Sequence, residues 1–273
     1  MTKKIHPAWY AAGVTFLTLM ANAGFRSAPS VLLIPLQDAF NWSRADISLA
    51  VSVNVLLFGL TAPFAAALME RFGIRRVVMT AELIVGLGAL ATIYIQKPWH
   101  LIALWGVIVG IGTGSMALVF AATVANRWFI KSKGLVIGAL TAAAATGQLI
   151  FLPGLSWMAL HHGWKSVSIV VGTSALVMVP FIFIFLKESP KHINQFPFGA
   201  DHSYEHPTIL KTNAARLAID TLKASLPSRN FWYLVGSFFV CGLSTSGLIG
   251  THLIAAGHDH GMSEVVGASL LAL

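Results

Sequence analysis

The chain has 273 residues, of which 56% are hydrophobic and only 10% charged. A soluble domain carries roughly 25% charged residues, so this sequence cannot supply a polar skin, and its natural solvent is lipid. The net charge of +8 does not mark a nucleic-acid binder, because the basic residues sit in short connections rather than on one face.

Lys3 and Lys4 precede the first apolar run, within which Ala21-Asn22-Ala23 has the small-x-small look of a processing site. The run continues to about Leu36, longer than a signal segment, and reads as an uncleaved first span. Membrane helices need about 20 mainly apolar residues. Such segments are expected over roughly 8–37, 45–69, 77–96, 100–126, 134–160, 165–186 and 230–256, and an eighth apolar run opens near Ser263. Ser43 stands three residues before Asp46, a capping pattern that starts the second span. Pro98-Trp99 and Gly163-Trp164-Lys165 mark turns at the membrane interface. In the fourth span Gly106, Gly110 and Gly114 recur every fourth residue, which allows close backbone approach. The single cysteine, Cys241, excludes an intramolecular disulfide and reads as a small buried hydrophobe.

With the N-terminus on the cytoplasmic side, that side receives Lys3, Lys4, Arg71, Arg75, Arg76, Arg127, Lys131, Lys133 and the Lys and Arg residues of 187–229. The opposite side receives only Arg44, Lys97 and Lys165. This positive-inside bias explains the basic charge as a record of topology. Residues 187–229 form the one long connection. Its first part is irregular, and from Thr208 the residues Leu210, Leu217, Thr221, Leu222 and Leu226 recur near helical spacing, with Lys211, Arg216 and Lys223 between them. A helix lying along the membrane surface fits that mix. The organisation expected is a six-helix bundle over 1–186, a cytoplasmic linker over 187–229, and the start of a second bundle over 230–273.

The turn after the second span carries the most specific pattern. Ala66-Ala-Leu-Met-Glu70-Arg71-Phe-Gly73-Ile-Arg75-Arg76 resembles the signature turn between helices two and three of the major facilitator superfamily. Phe40-Asn-Trp42-Ser43-Arg44-Ala45-Asp-Ile-Ser, Arg127-Trp-Phe-Ile-Lys-Ser-Lys-Gly134 and Phe231-Trp232 are similar to the oxalate/formate antiporter and monocarboxylate transporter branch. The resemblance implies an all-α membrane protein with a major facilitator-type bundle: a complete N-terminal six-helix half and the first one to two helices of the second. It implies a secondary transporter, not an enzyme, with no cofactor, that moves a small organic anion by alternating access in the cell (inner) membrane; a major facilitator transporter for a drug or sugar is the alternative, and a polytopic membrane enzyme or receptor the more distant one. It also implies that Glu70, Arg71, Gly73, Arg75 and Arg76 form a gating clasp. Gly106 stands where many proton-coupled members carry an arginine, so a proton and a counter-anion both stay open as coupling partner.

Arg26 is the sharpest single residue. A cation near the bilayer centre costs about 2.5–3.5 kcal/mol on insertion scales and must face a polar cavity or a partner. Arg26 is expected to bind a substrate carboxylate, with Asn22 one turn away on the same face. Asn54, Gln148 and Asn126 are candidate pathway residues, with helix-to-helix hydrogen bonding an equal reading. His252 is a candidate carboxylate or proton partner, and a polar packing residue otherwise. Glu82 is expected to pair with the arginine cluster or to serve as a proton-coupling carboxylate. His258-Asp-His260 has no identifiable third ligand and reads as a solvated loop.

Overall fold

The computed structural model describes residues 6–116, 118–200 and 214–273. Seven of its helices are long and apolar enough to cross a membrane: α1 Pro7–Phe40, α2 Arg44–Phe72, α3 Ile74–Tyr94, α4 Pro98–Trp128, α5 Lys133–His162, α6 Trp164–Phe185 and α8 Arg229–Asp259. Between the last two lies the short surface helix α7 Ala214–Ser225, and α9 Glu264–Ala272 follows α8. Helices dominate because oil offers no partner for a free peptide group, so each spanning segment must satisfy its own backbone.

The expected boundaries have visible chemical causes. Ser43 Oγ accepts from the Asp46 amide at 3.2 Å while Asp46 Oδ2 accepts from the Ser43 amide at 3.3 Å, closing the capping box that starts α2. Gly73 adopts φ +93° and Gly163 φ +77°, left-handed geometries that let α2 turn into α3 and α5 into α6 without a Cβ clash. Pro98 begins α4, where its missing amide costs no helical bond.

α1 is the central helix, packed against α5, α6 and α8; α2 lies along α4, and α3 along α6. Glycines close three of these seams; in the seam of α3 with α6 a Cβ on Gly86 would lie 3.0 Å from the Gly172 oxygen. A Cβ on Gly110 would lie 3.1 Å from the Asn54 Cα and carbonyl oxygen, and one on Gly106 would lie 3.1 Å from the Ala50 oxygen. Gly147 of α5 lies against the Met20 carbonyl and Ala23 of α1 in the same manner. The four-residue glycine repeat therefore does bring α4 onto the backbone of α2.

Two helices depart from simple α geometry. Ile102–Val109 in α4 and Gly242–Ile249 in α8 are wound with wide, π-type turns. Such turns free carbonyls from the regular ladder. In α4 the Trp105 carbonyl is taken up by Asn54 Nδ2 at 2.7 Å, and in α8 the Ser246 carbonyl by Thr251 Oγ1 at 3.1 Å.

The irregular start of the connection is pinned to the bundle. Ile130 donates to the Phe198 carbonyl at 3.0 Å and Phe198 to that of Trp128 at 2.8 Å, while the Phe198 ring meets His6, Trp9 and Phe129. Thr208, Leu210 and Lys211 lie outside the described residues, as does the side chain of Leu217. The described part of α7 exposes Ile219 and Leu222 and pairs Arg216 with Asp220 at 3.9 Å. Cys241 corrects its expectation: it is exposed, because no residue of Arg229–Cys241 is buried by the described helices. Its apolar neighbours Phe238, Phe239 and Val240 are exposed with it.

Candidate functional site

The middle of the bundle encloses a cavity of about 790 Å³ whose walls come from α1, α2, α5, α8 and α9. α1 contributes Arg26, Ser27 and Ser30; α2 contributes Asn54 and Phe58; α5 contributes Thr141 and Gln148. α8 adds Thr245, Ser246 and Thr251. Three of the five residues expected to bind substrate, Arg26, Asn54 and Gln148, thus meet in one space although they come from three helices.

The Arg26 side chain is exposed to the cavity. Its guanidinium carbon stands 5.2 Å from the Phe58 ring centroid, a cation–π contact that holds the group without neutralising it. Among the described residues no carboxylate lies within ion-pair distance of it. The other lining side chains are hydroxyls, amides and apolar groups, so among the described residues Arg26 is the one charged side chain of the cavity wall.

Asn22 and His252 are not in this wall. Asn22 is 8% exposed and donates to Glu82 Oε1 of α3 at 2.8 Å and to the Thr18 carbonyl at 2.9 Å. It does share a flank of α1 with Arg26, but its short side chain stays in the helix seam while the long arginine reaches the cavity. His252 is half-buried between Thr251 and Leu253, both of which do line the cavity. One residue along a helix is a rotation of about 100°, enough to turn the imidazole away. Asn126 is exposed and also lies outside the cavity.

Glu82 departs from the first of its two expected roles. It pairs with Asn22 and not with the arginine cluster. Six residues separate it from Arg76, which puts the two on different faces of α3. Nor does the signature turn show the expected pairing within itself: among the described residues no arginine of the turn lies within ion-pair distance of Glu70. Glu70, Arg71 and Arg76 are exposed, where solvation competes effectively with pairing. Arg75 instead lies 4.3 Å over the Phe183 ring of α6, and Arg71 5.1 Å over Phe72. A Cβ on Gly73 would meet the Glu188 carboxylate at 2.5 Å; that flexible side chain can shift, so it is the backbone angle that favours glycine. Arg127 ties the same end together, reaching the carbonyls of Glu188 at 3.3 Å and Met69 at 3.4 Å.

At the opposite end a contact appears that sequence reading missed. Both terminal nitrogens of Arg44, at the start of α2, bond Asp259 at the end of α8, each at 2.7 Å. Arg44 Nε also donates to Gln37 Oε1 at 3.0 Å. His258 Nδ1 lies 3.1 Å from Glu264 Oε1, so His258 and Asp259 both have side-chain partners. The described residues hold no group of three or more His, Cys, Asp or Glu arranged for a metal.

Residues 14–273 match the Major Facilitator Superfamily. The chain belongs to that superfamily. Its members are transporters, not enzymes, and this major facilitator chain is a multi-pass integral membrane protein. It is 25% identical to the uncharacterized MFS-type transporter YcxA of Bacillus subtilis, over 96% of this chain and 62% of that protein. It is 28% identical to monocarboxylate transporter 7 of Homo sapiens, over 80% of this chain and 42% of that protein. The chain thus spans less than two thirds of the length of either relative. Among solved structures it resembles a bacterial homolog of the human lysosomal transporter Spinster, in an inward-facing and unoccupied conformation, with TM-score 0.71 at 15% identity over 99% of this chain and 59% of that one. A D-xylose-proton symporter matches with TM-score 0.65 at 16% identity, over 98% and 65%. At these identities the structural likeness speaks for the fold alone.

Proposed function

We propose that this major facilitator protein moves a small organic anion, a mono- or dicarboxylate, by alternating access, with Arg26 as the group that binds the carboxylate. The observation that carries this reading is an uncompensated guanidinium facing an otherwise uncharged cavity. Removing an arginine from water is costly, and an anion that enters and forms a bidentate pair recovers that cost. Gln148, Thr141 and the α8 hydroxyls supply neutral polar contacts around the same space, while the second Asn54 donor hydrogen is free to serve beside them. The likeness to proteins named monocarboxylate transporters supports the same class of cargo.

In this reading 1–186 is one bundle, 187–229 the linker and 230–273 the beginning of the second, and the two bundles rock about the cavity. The charged turn of Glu70, Arg71, Gly73, Arg75 and Arg76 biases which end opens, and the basic connections put the N-terminus on the cytoplasmic side of the cell membrane. His252 stands behind the lining and enters the pathway only if α8 rotates.

The test is uptake of radiolabelled mono- and dicarboxylates by the full-length protein in liposomes. One or more of these acids is expected to accumulate, with Arg26→Gln weakening apparent affinity by roughly tenfold or more, since a hydrogen bond to a charged group is worth about 1.5–3 kcal/mol. Uptake of sugars or cationic drugs with no organic acid, or unchanged affinity in Arg26→Gln, overturns the reading.

A further inference from the structure

A second polar site lies in the bundle wall, away from the cavity. Glu82 of α3 is fully buried, and Asn22 of α1 and Met116 of α4 are 8% and 1% exposed. Glu82 Oε1 accepts from Asn22 Nδ2 at 2.8 Å, and Met116 Sδ lies 3.6 Å from the same nitrogen. Among the described residues two buried acceptors are left over: Glu82 Oε2 and Asn22 Oδ1 have no hydrogen-bond partner there.

Among the described residues no cation answers this carboxyl: no Lys, Arg or His lies within ion-pair distance of it. On α1 the nearest charged residue is Arg26, one turn beyond Asn22, whose guanidinium faces the cavity over Phe58; His6, Tyr10 and Asp38 are near its ends. α4 carries no charged or titratable residue between His100 and Arg127, and α6 only Lys165 at its start. α2 places its charges at its two ends, and on α3 Arg75 and Arg76 belong to the turn. A bare carboxylate held by one amide in such surroundings carries a desolvation cost that a single hydrogen bond does not offset; a group so placed takes up a proton instead.

We propose that Glu82 and Asn22 form a proton-binding site between α1, α3 and α4, with the proton on Glu82 Oε2 and the Asn22 amide holding the carbonyl oxygen Oε1. Protonation turns one orphan acceptor into a donor and leaves the wall uncharged. Because Asn22 is on α1, one turn from Arg26, a shift of that helix opens the site and returns the proton to water as the carboxylate forms. The link to transport rests on the reading of Arg26; the proton site itself does not.

The test is infrared difference spectroscopy of the substrate-free, full-length protein in liposomes, titrated with acid and base in choline chloride. Wild type is expected to show a protonated-carboxyl carbonyl band at neutral pH that is absent from the isosteric Glu82→Gln and that moves in deuterated water. Asn22→Leu, which removes the donor to Oε1, is expected to keep the band at higher frequency. Arg26→Gln is expected to leave it in place, so loss of carboxylate uptake in that variant does not count against the proton site. A missing band at neutral pH, a band unchanged in Glu82→Gln, or a frequency unmoved in Asn22→Leu overturns the proposal. Disappearance of the band when sodium replaces choline overturns it in favour of a sodium site.

Discussion

Asn54 shows how one side chain holds two levels of the structure at once. Its Nδ2 caps the Trp105 carbonyl within the wide turns of α4, and the same residue lines the cavity. Asn54→Leu leaves that carbonyl without its side-chain donor. The expected loss is about 1–3 kcal/mol, read as a lower midpoint of thermal unfolding in detergent. Asn54→Gln, which can still donate, is expected to lose less. The residues of the cavity were unequally legible. Arg26 announces itself because a cation inside an oily run has few outlets. The Asn22–Glu82 pair joins residues 60 apart on helices whose relative rotation no local pattern encodes, so the sequence alone puts Asn22 on the cavity face, which Arg26 reaches and Asn22 does not. The wide turns of α4 and α8 left no compositional mark either, since Ile102–Val109 reads as ordinary apolar helix.

At the scale of elements, glycine sets the distance between helices. In oil there is little hydrophobic drive between apolar helices, so association relies on close packing. α2 with α4, α1 with α5 and α3 with α6 are all closed on glycine. This set of pairings is what two three-helix repeats related by a two-fold axis generate: the partner of each helix in one repeat maps onto the corresponding pair in the other. The glycine repeat on α4 was readable as a close-approach signal, whereas its partner helix was not. Gly110→Leu puts a branched side chain where a Cβ already meets Asn54 at 3.1 Å. Overpacking of this kind costs about 1–3 kcal/mol, and separation of α2 from α4 also pulls Asn54 from Trp105. Gly138→Leu, where a Cβ meets nothing within 4 Å, serves as the control and is expected to leave thermal stability unchanged. Equal destabilisation by the two substitutions would remove the packing account.

Across the whole molecule, the two ends differ in how they are held. The end with the charged turn relies on arginines stacked on rings and on Arg127 reaching two carbonyls. The other end is joined by the bidentate pair of Arg44 with Asp259, partners 215 residues apart. The first was visible in the sequence as a motif; the second was not, because Arg44 and Asp259 each look like ordinary loop charges. The pair links α2 to α8, so under the proposed alternating access an opening of the cavity toward that end has Arg44 leave Asp259. It is half exposed on both sides and hence screened by salt. Its contribution is therefore expected in the balance of conformations more than in global stability. A cysteine introduced by Ser30→Cys in a Cys241→Ser background reports this directly, since Ser30 lines the cavity on the stretch of α1 that runs toward that end. Labelling by a membrane-impermeant maleimide is expected to accelerate severalfold when Arg44→Asp or Asp259→Arg is added alone, and to accelerate in the reporter background itself as salt is raised. The double exchange of Arg44→Asp with Asp259→Arg is expected to return labelling to the slow rate, because the charges meet again with their signs reversed. Rates unchanged in the single variants would mean that the closed end is held by apolar packing of α8 and α9 on α1 and α5, with the ion pair a passenger.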